Sequence, residues 1–548
     1  DWCLNANEIK KRTNIKSTDL ENYNYYLGSL VQRLSVSLSL FLNKQNKKKF
    51  NKNFWQNLIW VWLSYYVSAY FYRWKQIHTI SKGKKLNFLN LNFSKEIYVD
   101  GADTFFRLVS NSDKFNYIFI RKIIFHLKKN FIFVQKKNYS FDFGSFEIKN
   151  RISLIKLILN FYSKISHLIS IKNKIFISSC FNMKNLIKIN LKLFQLPQLF
   201  SYYFMKKPII KISNKKIQRN EKLFKFSHKN SFEFFIKNNI INDIPLNYIE
   251  NFDKNFESVK KIKLNPNTIL VGGEHYHNEN FKLWALYKKY FKRKKIISVE
   301  HGGNHQINSG QYNYDKKFSN ITISWIKKFN KFKLPNPKIY NDFIKRKNTY
   351  KVTYLGYEKR LYPARIGDAV YNVNNFKTYE NIKILKEKLK KNIYKDFYYS
   401  PKYIHDNRLK KNLISLLGKN KILRNESFKK NLKTSKIVIC DYPQTSFLEA
   451  ITTGPTFLIC DYTKNFIPIK EFKKIYYLME KNNIIFKNVN LLANFINKNW
   501  DNIEEIWNSK NVQKTKSDFV EKFSVSTKYN ILYSWKKFLS NYQIYDCK

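Results

Sequence analysis

This sequence predicts an α/β protein built from two parallel-sheet units, on the strength of three observations. The chain has 548 residues, more than one ordinary core holds, so two or three domains are favoured. In its middle, NPNTILVGG, ENFKLWALYKKYFKRK and KKIISVEHGG read in order as strand, amphipathic helix and strand, which is a βαβ unit. Further on, YKVTYLG, NFKTYENIKILKEKLKKN, KIVICDYP, TSFLEAITTG and PTFLICDY alternate strand with helix again. Such alternation implies a parallel sheet covered on both faces.

Taken in chain order, an N-terminal unit occupies 1–325, with a helical segment over 20–80. Within it, WQNLIWVWLSYYVSAYFY (55–72) has a length near the lower limit for a membrane span. Gln56, Asn57, Ser64 and Ser68 interrupt it and its aromatic residues crowd the centre, so a buried helix is predicted rather than a span, with interfacial docking a minor third reading. From about 85 to 265, short apolar runs alternate with Lys/Asn-rich connections and establish only α/β character. Two prolines in a charged stretch mark a linker at 326–350. A C-terminal unit follows at 351–490, and 491–548 reads as helices, DNIEEIWNSKNVQ having an acidic first turn that suits a helix start.

Lysine plus arginine outnumber aspartate plus glutamate by 101 to 39, a formal charge of +62. An anionic partner is one reading. The lysines are spread along the whole chain beside abundant asparagine, isoleucine, tyrosine and phenylalanine, as AT-biased codons would produce. No zinc-finger, basic-zipper or RNA-recognition signature accompanies them, so no nucleic-acid partner is expected; a basic surface still favours anionic membrane. Cys3, Cys180, Cys440, Cys460 and Cys547 form no CxxC pair, which argues for reduced thiols, with Cys440 and Cys460 buried in strands. The start, DWCLNANEIKK, shows no secretory pattern, and a truncated N-terminus is expected.

Open α/β sheets bind ligands beyond the carboxyl ends of their strands. At one such end CDYPQTSFLEAITTG places Gln444, Thr445 and Ser446 at a strand-to-helix corner, with Glu449 one turn inside the helix. Free N–H groups and hydroxyls there suit a phosphate, and the glutamate suits sugar hydroxyls; a capping box is an equal reading. At another end stand His301, Gly302 and Gly303, beside Glu274, His275 and His277 on the neighbouring strand. A chain with only 13 glycines places adjacent ones where backbone must turn tightly or approach a ligand. His301 suits general acid or base work, or is a hydrogen-bonded structural residue. His275 and His277 are expected to be solvated loop residues. The spacing of His275, His277 and His301 matches no standard ligand motif, so no metal is expected. In LGYEKRLYPARIGD, Arg360 and Arg365 offer phosphate or carboxylate forks.

The order WC, YRWKQI, ENFKLWA, HGG, LPNP, TSFLEA with GPTFLI, and the IW-N-S--VQ tail resembles, nearly end to end, a family of bacterial transferases found with O-antigen and other surface-polysaccharide biosynthesis genes. The resemblance implies a GT-B-like glycosyltransferase: two Rossmann-like domains facing across a cleft, the N-terminal one for acceptor and the C-terminal one for a nucleotide sugar. It puts Thr445, Ser446 and Glu449 on the donor-binding helix, with Gln444, Arg360 and Arg365 as further donor contacts. His301 and Glu274 become the catalytic candidates, and Gly302, Gly303 and Asn304 the cleft loop. The family's loop reads QHGG, a residue, then Tyr-Gly; here Glu300, His305 and Gln306 differ. Its RLYP-like stretch is represented by FYYSPKY, without the arginine, so a donor-phosphate contact there is either lost or supplied elsewhere, with Arg408 the candidate.

By the same resemblance the donor is a nucleotide-activated sugar, with CMP-linked acidic sugars of the Kdo or nonulosonic type leading. The acceptor is a lipid-linked or polysaccharide glycan, and no cofactor is called for. A cytoplasmic location follows, peripheral on the inner membrane. The competing readings are a nucleotide-sugar epimerase or hydrolase of the same fold, and a non-catalytic basic protein that binds nucleic acid or membrane.

Overall fold

A computed structural model describes residues 17–83, 85–91, 96–128, 131–136, 161–162, 173–178, 181–197, 204, 210–213, 217–303, 309–337, 346, 351–356, 362, 364–365, 377–401, 407–423, 428–443, 445–463, 468–523 and 531–544. The first unit opens with a helical hairpin, α1 (Ser17–Gln45) and α2 (Lys52–Ser81). Asn51 caps α2, its side chain accepting from the Asn53 N–H at 2.8 Å. Trp55, Trp62, Tyr66 and Tyr70 of α2 are fully buried, and no described helix is long and apolar enough to cross a membrane. The stretch 55–72 is thus the buried helix its residue distribution predicts. Tyr66 and Tyr70 donate their hydroxyls to Asp243 at 2.9 and 3.3 Å, while Lys122 pairs with the other carboxylate oxygen at 2.6 Å. Burial holds both phenols well above their ordinary pKa.

There follow β1 (Leu86–Leu91), β2 (Glu96–Val99), α3 (Ala102–Asn111), α4 (Asp113–His126), β3 (Phe131–Lys136), β4 (Ile175–Ile177), α5 (Met183–Lys192), β5 (Ile210–Ser213), α6 (Ser231–Asp243) and α7 (Phe252–Lys260). Then come β6 (Thr268–Val271), α8 (Glu274–His277), α9 (Glu279–Phe291), β7 (Lys295–Val299), α10 (Ser309–Phe318) and β8 (Ile321–Ile323). The main sheet has the order β4-β6-β7-β8, all parallel. Alternate residues serve opposite faces, as the strand period of two requires. Phe176, Ile269, Val271 and Ile296 join the core of α2 and α9, and Ile175, Ile177, Leu270 and Ile297 face the other way.

The second unit comprises β9 (Val352–Gly356), α11 (Lys377–Lys388), β10 (Phe397–Pro401), α12 (Asn407–Leu417), β11 (Ile437–Cys440), α13 (Thr445–Ile451), β12 (Thr456–Ile459), α14 (Lys470–Lys481), β13 (Ile485–Phe486), α15 (Val489–Asn499), α16 (Ile503–Asn508) and α17 (Lys510–Glu521). Its sheet, β10-β9-β11-β12-β13, is parallel throughout. Val438 and Leu458 pack against α13, α14 and α17, whereas Ile439 and Phe457 pack against α11 and α15. Cys440 ends β11 and Cys460 follows β12; both are buried, and burial raises the pKa of Cys440.

The last helix, α18 (Ile531–Ile544), returns to the first unit. Ile531, Trp535 and Leu539 cover Ile175, Leu270 and Ile297 together with Ile189 of α5, and the Trp535 indole N–H donates to the Pro335 carbonyl at 2.9 Å. Both faces of both sheets are therefore covered by helices, as the alternating pattern predicts.

Candidate active site

Because β4, β6, β7 and β8 are parallel, their carboxyl ends share one edge, and the residues that follow them converge there. Ser178, after β4, donates its hydroxyl to a Glu274 carboxylate oxygen at 2.7 Å and accepts the Gly272 N–H at 3.2 Å. Gly273, at φ 140°, turns the chain from β6 into the single turn α8. A Cβ on Gly273 would lie 3.1 Å from Cγ and Nδ1 of His301, so the imidazole rests against bare backbone. His301 is exposed. Behind it Glu300, only 2 % exposed, accepts from Ser324 Oγ at 2.8 Å and from the Trp325 N–H at 2.7 Å. Glu300 thus ties the end of β7 to the chain leaving β8 through one acceptor oxygen.

Gly302 and Gly303 adopt left-handed φ values of 87° and 62°, which explains the pair at this turn. A Cβ on Gly302 would lie 3.0 Å from Thr445 Oγ1, and one on Gly303 2.8 Å from Leu448 Cδ1. Thr445 Oγ1 itself donates to the Gly302 carbonyl at 2.7 Å. The two stretches that carry the sequence signal, one from each unit, are in direct contact. Thr445 is the first residue of α13, and its hydroxyl proton serves the opposite unit. Glu449, four residues on, shares its helix face and is half-buried, while Ser446 is exposed.

Arg365 lies elsewhere. The Arg365 guanidinium stands over the Phe106 ring at 4.3 Å and near Tyr65 at 5.9 Å. Its neighbours dock on the first unit: Ala364 is buried in that core, and the Tyr362 N–H donates to the Ser110 carbonyl at 3.0 Å. Arg360, Gln444 and Asn304, with His305 and Gln306, lie outside the described residues; Arg408 is on α12.

The expectation of a solvated His275 is corrected. The residue is 1 % exposed, its Nε2 lies 2.6 Å from Asp315 Oδ1, and its ring stacks on Tyr314 and Phe318. Tyr276 donates its hydroxyl to the same carboxylate oxygen at 2.8 Å. The reason is that 274–277 forms a helical turn, which aims its second residue inward where a loop would not. His277 instead approaches Asp103 at 3.5 Å, so the three histidines point apart. Among the described residues no three His, Cys, Asp or Glu side chains gather as a metal-ligand set.

Sequence reasoning missed Ser178, Ser324, Asp315 and Arg346. Arg346 forks beneath α13: Nε donates to Thr453 Oγ1 at 3.0 Å, Nη1 to the Pro455 carbonyl at 2.6 Å, and Nη2 to the Ala450 carbonyl at 2.9 Å. It thereby satisfies a carbonyl at the end of that helix. Burial lowers its pKa to about 9. An isolated arginine in a lysine-rich linker was the available signal, since only a planar fork makes several divergent bonds.

Two parallel α/β units, in contact where the loop after β7 meets the first residue of α13, make a GT-B-like arrangement. The chain belongs to the LIC12162 family of transferases, whose family model matches residues 5–539. Among solved structures it is similar to a Listeria monocytogenes protein assigned as a UDP-N-acetylglucosamine 2-epimerase, at 12 % identity over 54 % of this chain and 79 % of that one, with a TM-score of 0.33. It is also similar to S. aureus MnaA in complex with UDP, at 11 % identity over 54 % and 81 % of the two chains, with a TM-score of 0.31. None of the curated proteins compared with the chain matches it.

Proposed function

We propose that this transferase moves a nucleotide-activated sugar onto a lipid-linked or polysaccharide acceptor of surface-glycan synthesis, at the cytoplasmic face of the membrane. The observation that carries the reading is the 2.7 Å hydrogen bond from Thr445 Oγ1 to the Gly302 carbonyl, which joins the donor-type helix to the histidine-bearing loop. In this reading Glu449, Thr445 and Ser446 hold the donor, and His301 meets the acceptor. The acceptor hydroxyl gives its proton to His301 and its oxygen bonds to the anomeric carbon. The bond from that carbon to the nucleotide phosphate breaks, and its electron pair leaves on the phosphate oxygen. Glu274, fixed by Ser178, supplies negative charge beside the imidazolium that forms. The excess of lysine and arginine favours a carboxylated donor such as a CMP-linked acidic sugar.

A thermal-shift screen against CMP-, UDP-, GDP- and CDP-linked sugars tests the donor, since a ligand at a hundred times its Kd stabilises by about 2.7 kcal/mol. Glu449→Ala should abolish the shift without lowering the melting temperature of the ligand-free protein. Unchanged nucleotide affinity in that variant would refute the assignment. Turnover of donor without acceptor would instead mark an epimerase or hydrolase.

A further inference from the structure

We propose that α5 and the turn after it form a docking surface for an anionic lipid bilayer. The residues of α5 sort into three rows. Leu186, Ile189 and Leu193 are buried towards the sheet and α18. Met183, Ile187 and Leu191, each four residues from the last, form an exposed apolar row, at 51 %, 42 % and 57 %. Beside them Lys184, Lys188 and Lys192 form an exposed basic row with the same spacing.

Phe194 extends the apolar row. It is 94 % exposed and has φ 54°, a left-handed conformation that a bulky side chain adopts at a cost. Lys536 of α18 places its ammonium 5.9 Å from that ring, and Tyr533, on the same helix, is 63 % exposed. Codon bias explains the abundance of lysine and isoleucine but not their sorting into adjacent rows. A helix with a buried face, an exposed apolar face and a lysine border is the pattern of an element lying in a membrane interface, its lysines reaching the headgroups.

Charge selects the occupant. A two-fold pairing with a second copy would bring like surfaces together and set one lysine row near the other. Four apolar side chains also fall well short of the roughly 20–30 residues a side of a stable protein interface. An anionic bilayer accepts both rows at once. Each lysine near such a surface raises partitioning by roughly fivefold, so three raise it by roughly a hundredfold.

This surface deepens the membrane location proposed above but rests on residues outside the cleft, so the two readings fail separately. The test is co-sedimentation of the full chain with vesicles of phosphatidylcholine alone or mixed with phosphatidylglycerol. Wild type should bind the mixed vesicles and not the neutral ones. Lys184→Gln/Lys188→Gln/Lys192→Gln should lose roughly a hundredfold in partitioning, whereas Lys473→Gln/Lys474→Gln/Lys481→Gln on α14 should lose little. Ile187→Ser/Leu191→Ser should lose at least tenfold. Phe194→Asn removes the ring and suits the left-handed turn, so it should weaken binding while keeping or raising the melting temperature. No binding by wild type, equal losses in the two lysine sets, undiminished binding by the apolar variants, or dimerisation through α5 in sedimentation velocity would each overturn the proposal. Loss of vesicle binding with the nucleotide shift retained would leave the donor assignment standing.

Discussion

Replacing Gly303 with alanine perturbs the contact between the two units at its tightest point. Two costs are separable. An L-residue at φ 62° pays about 1–2 kcal/mol for the left-handed conformation. The new methyl would also lie 2.8 Å from Leu448 Cδ1 and 3.5 Å from the Trp325 ring, and relieving such overpacking costs about 1–3 kcal/mol. The sum is about 3 kcal/mol. Leu448→Ala alone, at a position 1 % exposed, should cost about 2–5 kcal/mol as a cavity. In the double variant the methyl occupies part of that cavity, so the two losses should add to about 1–2 kcal/mol less than their sum. Urea unfolding followed by tryptophan emission reads the transition, because Trp325 borders the site. A neutral Gly303→Ala, or additivity within about 0.5 kcal/mol, would show that the loop does not press on α13 and would remove the basis for a shared site.

Thr445→Val keeps the shape of the side chain and deletes the bond to Gly302, so it should cost about 1 kcal/mol and lower donor turnover, whereas Thr445→Ser should retain both; equal behaviour of the two in unfolding and activity assays would count against the bond. Gly273→Ala would place a methyl 3.1 Å from the His301 ring and set an L-residue at φ 140°, which costs about 1–3 kcal/mol; the melting temperature should fall, and activity should fall further than that destabilisation explains if that imidazole acts on the acceptor. Lys288 is 5 % exposed, and burial, aided by Lys292 and Lys294, lowers its pKa to about 8. Below that pH both folded and unfolded chains carry the charge and its burial opposes folding; between about 8 and 10.4 only the unfolded chain keeps the proton, so stability rises with pH. Lys288→Met should therefore stabilise the protein at pH 7 by about 2 kcal/mol, with the advantage fading towards pH 10 in thermal melts.

Much of the fold was legible because the strands at 268–271, 295–299, 437–440 and 456–459 are short apolar runs bounded by turn residues, a local signal. The helix at 445–451 and the buried helix at 52–81 likewise declare themselves through neighbouring residues. The lower half of the first unit was not legible: β4 is three residues long, and its membership of the sheet depends on pairing with β6, ninety-odd residues away. Within the site, His301 and the two glycines were visible as a strand exit. Their meeting with Thr445 is a tertiary fact that no spacing encodes. His275 was misjudged because its partner, Asp315, sits on α10 with no pattern to mark it. The arginines carry a further signal: Arg73, Arg219 and Arg346 each make several bonds to carbonyl, amide, hydroxyl or carboxylate oxygens. Where a chain that uses lysine freely uses arginine instead, a fixed fork is needed.

The return of α18 to the first sheet has a consequence for how the protein is made. Ile175, Leu270 and Ile297 keep an apolar face open until Trp535 and Leu539 arrive to cover it. During synthesis the first unit therefore waits, incompletely closed, while some two hundred later residues emerge and the second unit folds between its parts. Ribosome-bound intermediates halted between the two units should bind chaperones or aggregate, and trimming α18 should harm the unit most distant from it in sequence.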